Sequence, residues 1–148
     1  MAMRRINVGV IGTGWIGEIR AKVCAAHPLV EKLHLAEIDP AKLARVAKET
    51  GARTATADYR ELLRRTDIDA VFVCTTPEDT HYPITRDCLL ARKHALLEKP
   101  MGLALKEADE MMALAREAGL KFTIGYTQRF NPQYAYVKKC VVDGTLGT

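Results

Sequence analysis

Gly12, Gly14 and Gly17 stand directly after the apolar, β-rich run Ile6 to Ile11. That GxGxxG spacing, between a strand and a helix, is what a dinucleotide-binding turn needs. The first glycine permits the tight turn, the second lets a pyrophosphate approach the backbone, and the third lets helix and strand pack closely. Unpaired N–H groups and the positive end of the helix dipole then hold phosphate without any lysine or arginine. The whole loop, Gly12, Thr13, Gly14, Trp15, Ile16 and Gly17, is therefore a candidate cofactor-binding element. A bare match to this pattern also occurs in ordinary turns, so its surroundings decide its meaning.

An acidic residue supplies that context. Asp39 lies 22 residues beyond Gly17, close to the ~20 expected for the acid that holds the adenosine ribose hydroxyls. It also reads as a helix N-cap, and one carboxylate can serve both roles. A carboxylate there accepts hydrogen bonds from the free diol of NAD but repels the 2′-phosphate of NADP, so NAD is expected ahead of NADP. Glu37 is the rival, ranked lower because the pattern places it inside a strand, away from the carboxyl edge where ligands bind. Trp15 either covers the cofactor or packs at the helix start, and the sequence leaves both open.

Such groups must be carried on a parallel sheet. Short β-rich runs alternate with amphipathic stretches, which predicts successive βα units in a doubly wound Rossmann sheet: an α/β, three-layer αβα single domain. Strands are expected at Ile6–Ile11, Leu33–Ile38, Arg53–Ala55, Ala70–Cys74, Ala95–Leu97 and Lys121–Gly125. The first helix should run from about Gly14 to Ala26, stopped by His27 and Pro28. The second spans Pro40–Thr50, with Asp39 as N-cap, Pro40 at the first helical position and Gly51 as the stop. Asp58 caps a short helix Tyr59–Arg65, and further helices are expected at Tyr82–Arg92, Leu105–Ala118 and Pro132–Val142. Residues 1–130 are expected to form the nucleotide-binding domain and 131–148 a terminal helix and the start of a connection, with Asp143 to Thr148 reading as a turn after which a strand is about to begin.

Bulk properties agree. With 148 residues, 48% hydrophobic and 27% charged, the chain can bury one substantial core. Its formal net charge of +4, from 22 basic and 18 acidic residues, is spread along the sequence. Nucleic acid is therefore not an expected partner. No apolar run approaches the ~20 residues needed to cross a bilayer. The basic start at Arg4 and Arg5 leads into the glycine loop, not a cleavage site, so a cytoplasmic location is expected. Cys24, Cys74, Cys88 and Cys140 show no metal or redox spacing. They read as reduced packing residues, and no metal is expected.

Three more segments carry a pattern: Thr75-Thr76-Pro77-Glu78-Asp79-Thr80-His81, Glu98-Lys99-Pro100 and Gln128-Arg129-Phe130-Asn131-Pro132. Together with the glycine loop they resemble the Gfo/Idh/MocA oxidoreductases, the family of glucose-fructose oxidoreductase and inositol 2-dehydrogenase. The resemblance implies that Lys99 is the catalytic residue, next to the nicotinamide and the reacting carbon. An ammonium beside a cationic nicotinamide ring is repelled and partly desolvated, both of which favour its neutral, proton-accepting form. It then exchanges a proton with a substrate hydroxyl as hydride passes to or from the cofactor. The plain alternative is a solvated surface lysine. Glu98 is a lesser candidate, holding Lys99 or the cofactor. Thr75, Thr76 and Pro77 are implied to lie under the nicotinamide ribose, with His81 near it. As a βα turn, the same segment has Thr80 or His81 starting the next helix. His81 as a general base would need an orienting partner, and none is identifiable. In relatives Pro100 is said to follow a cis peptide bond, though trans is the commoner outcome for any one proline. Arg129 is left open between substrate contact and structure.

The resemblance also implies a second α/β domain with an open, mainly antiparallel sheet, which supplies an Asp and a His for the proton relay. None of it is in these residues. The expected function is thus NAD(H) binding within a dehydrogenase for a sugar, polyol or related secondary alcohol, incomplete as an enzyme in this chain alone. A non-catalytic NAD sensor is the alternative, disfavoured by the intact Glu98-Lys99 pair. A methyltransferase finds no support at Thr76-Pro77 or Glu98-Lys99-Pro100. Without the family's usual dimer surface, a monomer or weak homodimer is expected.

Overall fold

The computed structural model describes residues 3–147. Six parallel strands, β1 (Ile6–Ile11), β2 (Val30–Ala36), β3 (Thr54–Thr56), β4 (Ala70–Val73), β5 (His94–Leu97) and β6 (Phe122–Ile124), lie in the order β3-β2-β1-β4-β5-β6. The order reverses beside β1, and ligands of open parallel sheets bind at the crevice such a reversal creates. Six helices connect and follow the strands: α1 (Trp15–Ala26), α2 (Pro40–Thr50), α3 (Tyr59–Arg64), α4 (His81–Leu90), α5 (Leu105–Glu117) and α6 (Pro132–Val142).

Parallel strands need cover on both faces, which is why they read as near-continuous apolar runs. On one face Val8, Val10, Leu33 and Leu35 pack with Ala21 of α1 and Val46 of α2. On the other, Ile11, Val71, Val73 and Leu97 pack with Leu89 of α4 and Met111 of α5. The result is the three-layer αβα arrangement expected. Three helix starts have a side-chain cap. Asp39 accepts from the amides of Ala41 at 2.9 Å and Lys42 at 3.1 Å, Asp58 from Arg60 at 3.0 Å, and Asn131 from Gln133 at 2.9 Å. Gly51 ends α2 at φ 65°, a left-handed conformation that costs glycine little.

One strand departs from expectation. β2 was expected over Leu33–Ile38 but runs from Val30 to Ala36. A strand ends where its partner leaves it, and Ala36 is the last residue paired, opposite Ile11. Beyond it, β1 turns away at Gly12, whose amide donates to the Ala36 carbonyl at 2.8 Å. Apolar Ile38 extends the pattern without extending the strand, and its side chain is 85% exposed. The remaining boundaries fall within two residues of expectation. The turn expected after α6 is observed over residues 143–146, while Thr148 lies outside the described residues. Among the described residues no helix is long and apolar enough to cross a membrane.

Candidate functional site

The three glycines are required for different physical reasons. Gly12 has φ +84°, and a Cβ there would lie 2.8 Å from the Cys74 carbonyl oxygen. A Cβ on Gly17 would sit 1.9 Å from the Gly12 carbonyl oxygen, an impossible approach. In front of Gly14 there is nothing within 4 Å, and it caps α1 with no side-chain hydrogen bond. Whereas α2, α3 and α6 have side-chain-capped starts, α1 has no side-chain partner at its start, and the space in front of Gly14 is open. That is the arrangement an anion requires.

Thr13 and Glu37 lock this loop. Thr13 is buried, and both its amide, at 2.6 Å, and its hydroxyl, at 3.1 Å, donate to one oxygen of Glu37. The other Glu37 oxygen accepts from the Asp39 amide at 3.0 Å. Glu37 therefore lies past the strand at the carboxyl edge, not inside it. Its carboxylate fastens the glycine loop to the β2 tip, a function its sequence position concealed. Thr13's polar groups are turned to Glu37, away from the open side of the loop. Ile16 is half-buried and packs into the core beneath α1. Trp15 is 84% exposed, so of its two readings the structure does not support packing at the helix start.

The two Asp39 oxygens have different partners. Its Oδ1 caps α2 while Oδ2 lies 3.5 Å from Lys42 Nζ. The amides of Lys42 and Ala41 hold its carboxyl below the ordinary range, which keeps it ionised. Asp39, Gly12, Gly14, Ile38, Tyr59 and Thr76 are among the residues lining a cleft of about 460 Å³. It lies at the strand-order reversal.

Thr75 and Thr76 enter this cleft from the far side of β1. Their loop is braced from within: the Thr75 and Thr80 hydroxyls lie 2.7 Å apart, and Thr80 donates to the Pro77 carbonyl at 2.6 Å. Peptide bonds Thr76–Pro77 and Lys99–Pro100 are both cis, so the commoner trans form is not the one adopted at Pro100. His81 does start α4, but it is no surface contact. Its ring is 1% exposed, with Nδ1 2.7 Å from the Pro100 carbonyl oxygen and Nε2 3.0 Å from that of Thr75. The orienting partners missing from the sequence are backbone carbonyls. Whichever nitrogen carries the proton, a backbone carbonyl lies in reach to accept from it, and His81 sits between the loop after β4 and the loop after β5 behind the site.

Glu98 and Lys99 point to different tasks. Glu98 is 7% exposed and accepts from Arg20 Nε at 2.6 Å, with Arg20 Nη2 on the same oxygen. Its partner is thus Arg20 of α1 and not Lys99. A Cβ on Gly125 would lie 2.7 Å from Arg20 and 2.8 Å from Glu98, so a side chain there would have to displace this pair. Lys99 is exposed and opens into a second cleft of about 690 Å³, with Tyr126, Arg129, Tyr134 and Lys138. Arg129 rests over the Tyr126 ring at 5.9 Å. The two clefts share no lining residue. All four cysteines are free and buried. Burial raises the thiol of Cys74 to about 12 and that of Cys24 to about 11, so neither is a nucleophile at neutral pH. No group of three or more potential metal ligands occurs among the described residues.

Comparison with known proteins places these features in a family. A family profile described as "Oxidoreductase family, NAD-binding Rossmann fold" (GFO_IDH_MocA) matches residues 6–126. Myo-inositol 2-dehydrogenase of Thermotoga maritima is 30% identical over 142 residues, covering 96% of this chain and 42% of that protein. The structure of scyllo-inositol dehydrogenase from Lactobacillus casei with bound NAD(H) and scyllo-inositol superposes with a TM-score of 0.87 at 30% identity, over 97% of this chain and 43% of that one. A 3-ketoreductase from Actinomadura kijaniata in complex with TDP-benzene and NADP gives a TM-score of 0.87 at 32% identity, over 97% and 46%. The chain spans less than half the length of these relatives.

Proposed function

Because this chain belongs to the Gfo/Idh/MocA oxidoreductase family and carries its NAD-binding Rossmann fold, we propose that it is the cofactor-binding part of a dehydrogenase for a secondary alcohol of a sugar, polyol or related compound. The observation that carries this reading is the uncapped start of α1, with open space at Gly14, beside an Asp39 carboxylate at the neighbouring strand tip whose Oδ2 has only Lys42, at 3.5 Å, as a partner among the described residues. Backbone amides there hold the pyrophosphate, and Asp39 holds the adenosine ribose. NAD supplies a hydride acceptor. Thr75 and Thr76 border the cofactor from the β4 side, with Pro77 in the same loop. Lys99 opens into the adjoining cleft without an ion pair among the described residues. There it exchanges the proton of the substrate hydroxyl. Glu98 and His81 act behind it, fixing the two loops. A sensor that never turns over has no use for that exposed lysine, which favours the enzymatic reading.

NAD is preferred to NADP in this reading, although one relative is seen with NADP. The test is calorimetric titration of NADH and NADPH into the wild type and Asp39→Ser. NADH is expected to bind at least ~10-fold tighter to the wild type, since a hydrogen bond to a charged group contributes roughly 1.5–3 kcal/mol. The substitution should erode that margin. Equal affinities in the wild type would show that Asp39 does not hold the ribose.

The α6 surface bears exposed Tyr136, Val137, Val141 and Val142, enough for weak self-association but short of a tight interface. Gel filtration at two concentrations should show a monomer shifting only slightly toward a dimer. A concentration-independent tetramer would contradict it.

A further inference from the structure

We propose that the substrate held beside Lys99 carries an anionic group, a carboxylate or a phosphate, in addition to the alcohol that is oxidised. This deepens the function proposed above and rests on it. The second cleft receives a cation from each of three elements: Lys99 from the loop after β5, Arg129 from the turn Thr127–Phe130, and Lys138 from α6. No aspartate or glutamate lines it. None of the three joins an ion pair among the described residues. Lys22 and Arg45, by contrast, are both paired with Glu18 and Glu49. The nearest carboxylate in sequence, Glu98, is buried and held by Arg20.

Three like charges gathered around one concave space repel one another, and a neutral polyol would leave that repulsion uncompensated. An anion relieves it. The division of labour follows from side-chain chemistry. Arg129 stays charged at any working pH and presents a planar fork suited to carboxylate or phosphate. Lys138 adds a point charge, one helical turn from Tyr134 on the same face of α6. Lys99 is then left free for the alcohol. Tyr126 and Tyr134 offer ring faces to the apolar side of a sugar, with polar tips to its hydroxyls. The cofactor's own phosphates are not the intended occupant, since the glycine loop lines the other cleft.

The experiment is an amide-resolved NMR titration of the ¹⁵N-labelled chain with D-glucuronate, D-glucose 6-phosphate, D-glucose and inorganic phosphate, with and without NADH. Glucuronate or glucose 6-phosphate should bind roughly tenfold or more tighter than glucose. The shifts should centre on Lys99, Arg129 and Lys138, and the advantage should shrink as salt rises to about 0.5 M. Whichever of the two binds tighter assigns the group as carboxylate or phosphate. Arg129→Ala with Lys138→Gln, both exposed positions, should remove the preference over glucose. The proposal fails if glucose binds as tightly as its charged counterparts, if inorganic phosphate matches glucose 6-phosphate, if the double variant keeps the preference, or if no sugar binds at tens of millimolar. NADH titrated alone reads out the parent function separately. Loss of NADH binding with an intact anion preference would overturn that function and leave this cleft as a plain anion site.

Discussion

Gly17→Ala is expected to yield a protein that binds no measurable NADH and melts well below the wild type, whereas Gly14→Ala should melt with the wild type and still fail to bind NADH. The first outcome follows from a Cβ 1.9 Å from the Gly12 carbonyl oxygen. That atom is backbone and cannot swing away. Overpacking commonly costs 1–3 kcal/mol, and a collision with backbone should reach about 3 kcal/mol, or roughly 6–12 °C in melting temperature for a chain of this size. The second outcome follows from geometry of the opposite kind. Gly14 has φ −62° and ψ −169°, which alanine adopts freely, and its Cβ would meet nothing within 4 Å. The added methyl points into the space that a pyrophosphate needs. Calorimetry and thermal melting on the two variants separate the roles. A Gly14→Ala protein that binds NADH like the wild type would show that phosphate does not approach the loop there.

Most of what positions the site was legible because it is encoded locally. Glycine spacing after an apolar strand, Asp39 before Pro40, and Gly51 after α2 each act through neighbours a few residues away. The residues that were misjudged act over long distances. Glu37 was assigned to a strand because Ile38 prolonged the apolar pattern, yet the strand's end is set by its pairing partner β1. Its bond to Thr13 spans 24 residues, and His81 reaches the Pro100 carbonyl across 19. Nothing in the local sequence distinguishes a histidine that braces two loops from one that faces a ligand. Lys99 itself is exposed in this chain, and the desolvation expected of it is that of a lysine beside a bound nicotinamide. The cations beside it could be counted from the sequence, but only the fold brings Lys138 of α6 to the same cleft.

Arg20 is the residue for which the sequence carried no signal, and it leads to the remaining large effect. It reaches Glu98 across 78 residues, and the two side chains are only 17% and 9% exposed. Arg20→Met removes the counter-ion and leaves a carboxylate in an apolar setting, at an expected cost of about 3–5 kcal/mol, or roughly 6–20 °C in melting temperature. Replacing both partners, as Arg20→Met with Glu98→Leu, should recover most of that loss, since a buried pair exchanged for apolar groups of similar volume is often near neutral. A double-mutant cycle measures the coupling directly; additive losses would mean that the pair contributes nothing as a pair. Its place in the fold suggests why a charged pair is kept where an apolar one would serve stability as well. It joins α1, whose start is proposed to hold the phosphates, to the tip of β5, which is followed by Lys99. On the proposed function, the pair thereby fixes the separation between the two ends of the cofactor's path. Hence the double variant, though thermally restored, is expected to bind NADH more weakly than the wild type. Full recovery of NADH binding along with melting temperature would reduce the pair to a matter of stability alone.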